Sequence, residues 1–159
     1  MLLLTLSLVA LLAQDSSPAP QPAVEMNDAE KQFQASLTNV TLTGFFTTGD
    51  SAETHEDKYT IEKLIKTKAG VWNFDARIQY GNRDFKATVA VPVEWAGDTP
   101  VLTLKQYLIQ GHIYSARILI YGGRYAGTWG AQDHGGLMFG KIVKNEDPPA
   151  ASPTSVKNQ

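Results

Sequence analysis

Apolar and polar residues alternate with a period of two along much of the chain, and the alternation is clearest from Trp72 to Val91. Gly81-Asn82 is a two-residue turn signal in the middle of it. Setting Tyr80 opposite Arg83 pairs Ile78 with Phe85, Ala76 with Ala87, Phe74 with Val89 and Trp72 with Val91. The other face then receives Asn73, Asp75, Arg77, Gln79, Asp84, Lys86 and Thr88. Arg77 lies opposite Lys86, an unfavourable pair that Asp75 and Asp84 offset from diagonal positions.

A second reversal, Gly122-Gly123, gives the same kind of answer independently. Both glycines tolerate the positive φ of a type I′ turn, so Tyr121 pairs with Arg124, Ile120 with Tyr125, Ile118 with Gly127 and Ala116 with Trp129. Each ring or branched chain faces a residue that leaves it room. Ser115, Arg117, Arg124 and Thr128 take the solvated face, and a one-residue slip would exchange the two sets.

The remaining pattern predicts a helix over Asn27 to Ala35, capped by Asn27 or Asp28 with Glu30 in its first turn. Strands follow at Leu37 to Thr47, with Gly44 a bulge or close-packing point, and at Lys58 to Lys68, with Tyr59, Ile61 and Ile65 on one side. Between them GDSAETHED reads as a polar loop. The first hairpin occupies Gly70 to Tyr80 and Arg83 to Trp95, and Pro92 on its outward face suggests an edge or a bulge. After the turn Ala96 to Pro100, the strand Val101 to Ile109 has Leu102, Leu104 and Leu108 as its apolar set. A last strand, Leu137 to Lys144, is apolar on both sides, and Lys141 favours Met138, Gly140 and Ile142 as the inward set.

About eight antiparallel strands with short connections define an all-β chain, and closing them into an up-and-down barrel of the calycin or avidin kind removes exposed edges. A β-sandwich is the alternative. A barrel of this size is either just filled by side chains or wide enough for one small ligand.

The ends of the chain read differently from its middle. Met1 to Ala13 is an apolar run too short to span a bilayer and suited to a secretory signal, though no Lys or Arg precedes it. Export to the periplasm, cell surface or medium is the expectation, with no membrane insertion after cleavage. Residues 14–35 read as a Pro-rich linker with the short helix, 36–144 as the barrel domain, and 145–159 as a disordered tail. Cysteine is absent, which excludes disulfides, thiolate metal sites and a cysteine nucleophile. The 14 basic and 16 acidic residues give a net charge of −2 without a basic patch, so nucleic acid is not an expected partner.

Candidate chemistry is sparse. His55, His112 and His134 have no metal-ligand spacing, so no metal or other cofactor is expected. A Ser115-His134-Asp98 triad would need a nucleophile turn, and no GxSxG motif occurs. GGRYAG and HGG precede strands and not helices, which argues against phosphate loops. Asn39-Val40-Thr41 is a glycosylation sequon only in a cell that uses such sites. Trp72, Phe74, Phe85, Tyr114, Tyr125 and Trp129 all fall on the inward face. Their plain reading is a packed core, and the sharper one is the lining of a ligand cavity, with Ala76, Ala87, Ala116 and Gly127 leaving space.

The strings VPVEWAGDTPVLTL, RILIYGGRYAGTWG and HGGLMFGKI resemble a family of small exported bacterial proteins of planctomycete type. That family has no assigned activity, so the resemblance implies export and no site residues. The architecture is similar to avidin and lipocalin barrels, although the lipocalin GxW is missing near the first strand and Gly127-Thr128-Trp129 occurs near the last ones.

The expected function is therefore non-enzymatic binding of a small apolar or aromatic ligand, or a peptide, by an exported barrel. Trp72, Tyr114, Tyr125 and Trp129 would supply contact surface, and His112 and His134 polar contacts near opposite strand ends. A structural or interaction module of the cell envelope, and an enzyme with a site at the barrel mouth, are the alternatives.

Overall fold

The computed structural model describes residues 24–146; the apolar run Met1 to Ala13, most of the linker and most of the tail lie outside them. One helix, α1 (Asp28–Leu37), precedes eight strands: β1 (Val40–Thr47), β2 (Thr54–Lys68), β3 (Val71–Tyr80), β4 (Arg83–Ala96), β5 (Thr99–Ile109), β6 (His112–Tyr121), β7 (Arg124–Gly130) and β8 (Gly135–Lys144). Each strand pairs antiparallel with the next, and β1 pairs with β8 from Val40↔Lys144 to Phe46↔Met138, closing an up-and-down barrel. The sandwich alternative is thereby excluded. The described helix is not long and apolar enough to cross a membrane.

Both glycine turns set the predicted registers. Tyr80↔Arg83, Ile78↔Phe85, Ala76↔Ala87, Phe74↔Val89 and Trp72↔Val91 pair in β3–β4, and Tyr121↔Arg124, Ile120↔Tyr125, Ile118↔Gly127 and Ala116↔Trp129 in β6–β7. On the outer face Arg77 binds Asp84 through two hydrogen bonds of 2.7 and 2.6 Å, while Lys86 reaches Glu62. On β8, Met138 is buried and Phe139 exposed, as Lys141 implied.

Three expectations are corrected, each for an identifiable reason. A bulge between Ile61 and Lys63 inverts the facing of β2 beyond it, so Leu64 is buried and Ile65 exposed. A second irregularity between Leu104 and Tyr107, with Gln106 at φ 51°, does the same to β5. Leu108 turns outward, and Tyr107 and Ile109 pack toward the core. The polar segment before Lys58 is strand from Thr54 onward, because β1 supplies partners as far as Thr47↔Thr54.

The helix plugs one end of the barrel. Asn27 and Glu30 form a reciprocal capping box at its start. It runs two residues past the expected end, so Leu37 belongs to the helix and not to the first strand. Phe33 and Leu37 are buried, and burying each stabilises by roughly 1.5–3 kcal/mol. The plug is tied to the barrel on several sides. Lys144 Nζ donates to the carbonyls of Ala35 and Thr38, Gln34 Nε2 donates to Leu64 O, and Lys66 Nζ donates to Glu30 and to Glu25 O. The Lys66 ammonium holds the Glu30 carboxyl below the usual carboxylate range.

One seam is short. β4 and β5 pair only from Val93↔Leu102 to Ala96↔Thr99. Val93 N–H donates to Gly70 O on the β3 side, whereas Ala90 N–H donates to Tyr107 Oη on the β5 side. Alternation therefore turns position 92 toward β5, and Pro92 has no N–H to offer there. The ladder stops at this point, as the sequence hint of an edge anticipated.

Candidate functional site: the open half of the barrel

The inner face divides into a packed half and a hollow half. Near α1, Trp72 is fully buried with Phe33 edge-on at 5.1 Å, and Trp95 adds a second edge contact to Phe33 at 5.9 Å. Toward the other end the interior opens into a cavity of about 450 Å³. Its wall includes Phe74, Ala76, Phe85, Leu104, Ala116, Ile118 and Met138. Small residues at Ala76 and Ala116 leave space that a larger branched chain would fill. A volume of this order lies within the range of small-molecule pockets.

Of the residues expected to contact a ligand, Tyr114, Tyr125, Trp129, His112 and His134 all line this cavity. Trp72 does not. It belongs to the helix plug, where its indole N–H has no hydrogen-bond partner among the described residues. His112 and His134 are not at opposite ends of the barrel: the turn before β6 and the turn before β8 both lie at the mouth.

The Tyr125 ring is held by glycines on neighbouring strands. Tyr125 lies across Gly140 and Gly44, and a methyl added at Gly44 would come within 2.4 Å of its hydroxyl. The freedom to lay a ring flat on backbone is what glycine supplies here. The Tyr125 hydroxyl then donates to Asp57 Oδ1 at 2.7 Å, and Tyr59 donates to Oδ2 at 3.2 Å. Trp129 pairs in register with Gly136, and its indole N–H donates to Thr47 O at 3.0 Å.

Asp57 is buried, and burial raises its carboxyl above the usual range despite the two phenol donors. The same burial, with the Asp57 charge alongside, raises both Tyr59 and Tyr125, so these hydroxyls remain protonated donors. The cluster is closed on itself. Its geometry fixes the wall and leaves the carboxylate occupied.

At the mouth, Tyr80 Oη and Tyr114 Oη are 3.1 Å apart, and Arg83 lies 6.0 Å from the Tyr80 ring centroid and 3.4 Å from His112 Nε2. Burial, followed by the bond to Tyr114, pushes the Tyr80 hydroxyl up to about 12. His134 packs edge-on against Trp129 at 5.4 Å and its Nδ1 is 2.6 Å from Asp133. The Asp133 carboxyl is lowered mainly by that hydrogen bond.

Tyr80, Arg83, Phe46 and Tyr59 line the cavity without having been singled out beforehand. The register had already placed Tyr80 and Arg83 together at one turn, and that turn is the rim. Asp57 had a fainter signal, since it shares the inward parity of Tyr59 and Ile61.

The Ser115-His134-Asp98 set does not assemble. Asp98 lies in the β4–β5 turn at the helix end, His134 lies at the mouth, and Ser115 is exposed and accepts from Gln106 N–H. Among the described residues no group of three or more His, Cys, Asp or Glu is placed to hold a metal ion. No family model, curated protein or solved structure matches the chain, so the site is read from its own residues.

Proposed function

We propose that this protein is a non-enzymatic, exported binding barrel that takes a small apolar or aromatic ligand through its open mouth. The observation that carries the reading is a 450 Å³, mostly apolar cavity above a plugged end, with Tyr80, Arg83, His112 and Tyr114 gathered at the rim. The signal-like segment Met1 to Ala13 supports export. Phenylnaphthylamine is a suitable first probe, because its emission rises in apolar surroundings. Saturable binding that quenches the tryptophan emission, weakened by Ala116→Leu, supports the proposal. Equal dye response before and after that cavity-filling change would refute it.

A second reading, an interaction module of the envelope, is favoured by one outer feature. The registers line up Phe45, Phe139, Ala126, Leu119 and Val101 as a cross-strand row over β1, β8, β7, β6 and β5. Phe45, Phe139 and Leu119 are exposed in that row. Patches of this kind mark contact surfaces when they are contiguous.

A further inference from the structure

The rim carries a charge pattern that an apolar ligand alone does not explain. Arg83 is fixed there by its pairing with Tyr80, and among the described residues it makes no ion pair. Arg77, Lys86 and Arg117 of the outer wall are matched with Asp84, Glu62 and Glu94, whereas Lys58, Lys63, Lys105, Arg124 and Lys141, like Arg83, form no ion pair among the described residues; what sets Arg83 apart is that it lines the cavity. On the same side of the opening stand His112 and the two phenols. The Tyr80–Tyr114 bond uses one hydroxyl proton, so the second remains to be donated.

Acidic groups at this end are accounted for. Asp133 is engaged by His134, Asp84 by Arg77, Glu56, Asp50 and Glu53 are exposed around the start of β2 and the β1–β2 connection, and Asp57 is covered by Tyr59 and Tyr125. None of them forms an ion pair with Arg83. Below the rim the wall is almost wholly apolar. A guanidinium matches the planar fork of a carboxylate, and one Arg balances one negative charge. A cationic head would meet Arg83, and a doubly charged head would carry surplus charge toward Asp133.

Resting on the cavity reading above, we infer that the mouth selects a carboxylate carried on an apolar chain. The carboxylate sits on Arg83 and the Tyr80–Tyr114 pair, and the chain runs inward past Phe85, Ala116 and Ile118. Orientation thus comes from the rim and affinity from the wall.

The test uses the full chain with dodecanoate, dodecanol and dodecylamine, all below their aggregation concentrations, followed by tryptophan emission and native mass spectrometry. Dodecanoate is expected to bind roughly ten- to a hundredfold tighter than dodecanol, the range of a charged hydrogen bond, with dodecylamine weaker than either. Arg83→Gln should bring the carboxylate-to-alcohol ratio close to one, while Arg83→Lys keeps most of it, and added salt erodes it. A wild-type ratio near one, or a ratio untouched by Arg83→Gln in a protein with wild-type circular dichroism, overturns the inference and leaves the cavity reading in place. If none of the three binds, the cavity reading falls and this inference with it.

Discussion

At the helix end of the barrel the Phe33 ring contacts both Trp72 and Trp95, while at the mouth Tyr80, Tyr114 and Trp129 stand around an opening. β3 supplies a ring to each set, Trp72 to one and Tyr80 to the other. What differs is the filler: α1 brings Phe33 and Leu37 into one end, and alanines at 76 and 116 withhold bulk from the other. Stability is therefore concentrated where the helix docks, and the hollow end is left available for recognition. Under the binding role proposed above, scaffold and site occupy separate stretches of one continuous sheet.

The largest expected effect tests the packed end. Trp72→Ala should destabilise by about 3–5 kcal/mol in denaturant unfolding, as for buried aromatic residues generally. Trp129→Ala should cost clearly less, because that ring is only partly buried and faces the cavity. Equal costs would erase the distinction between the two ends.

The glycine shelf beneath Tyr125 comes next. Gly140→Ala puts a methyl within 2.6 Å of the Tyr125 ring and 2.4 Å of Thr43 O, and about 1–3 kcal/mol of overpacking strain should result. A neutral effect in the same assay would show that the ring has room to move.

Asp57 gives a prediction with a sign. Its carboxyl is harder to ionise in the folded protein than in the unfolded chain, because burial raises its pKa above 3.8. Such a group subtracts stability above its folded pKa and returns it as pH falls toward the ordinary value. Asp57→Asn, which keeps an acceptor for Tyr125, should thus be at least as stable as the native chain at neutral pH. Its advantage should shrink on acidification through the interval just above pH 3.8. Asp57→Ala, leaving both phenols unpaired, should instead lose about 1–3 kcal/mol. Parallel stability curves for Asp57→Asn and the native chain would contradict the assignment.

The smallest effect belongs to the rim. Arg83→Gln should change unfolding free energy by less than about 0.5 kcal/mol, as expected for an exposed side chain without an ion pair. A larger loss would mean that the mouth, too, is part of the scaffold.

Much of the barrel could be read from the residues because two-residue glycine turns fix register without outside help. From Tyr80↔Arg83 every pair to Trp72↔Val91 follows by counting, and the same holds from Tyr121↔Arg124 to Ala116↔Trp129. Counting fails at a bulge. The faces of Ile65 and Leu108 differ from the alternation because one extra residue inverts parity, and nothing in TIEKL or TLKQYL announces where it falls. Trp72 was correctly turned inward, yet only the docking of α1 decides that inward means plug at that level and cavity wall further along. The site was legible in part for the same reason. Aromatic wall residues follow from parity, whereas the convergence of Arg83, His112 and Tyr114 depends on β5 bringing the Gly81 and Gly111 turns to the same rim.

Pro92 carries one more consequence. A cylinder whose ladder is interrupted beside a proline has a preferred line of local opening, and hydrogen exchange is the way to see it. The alternation that turns Ala90 N–H toward β5 does the same for Asp84, Lys86 and Thr88, whose amides lie on the stretch where β4 has no strand partner on that side. Those protons should be replaced by deuterium well before the ones that β4 gives to β3, as the barrel parts at its unfinished seam while every other strand stays paired.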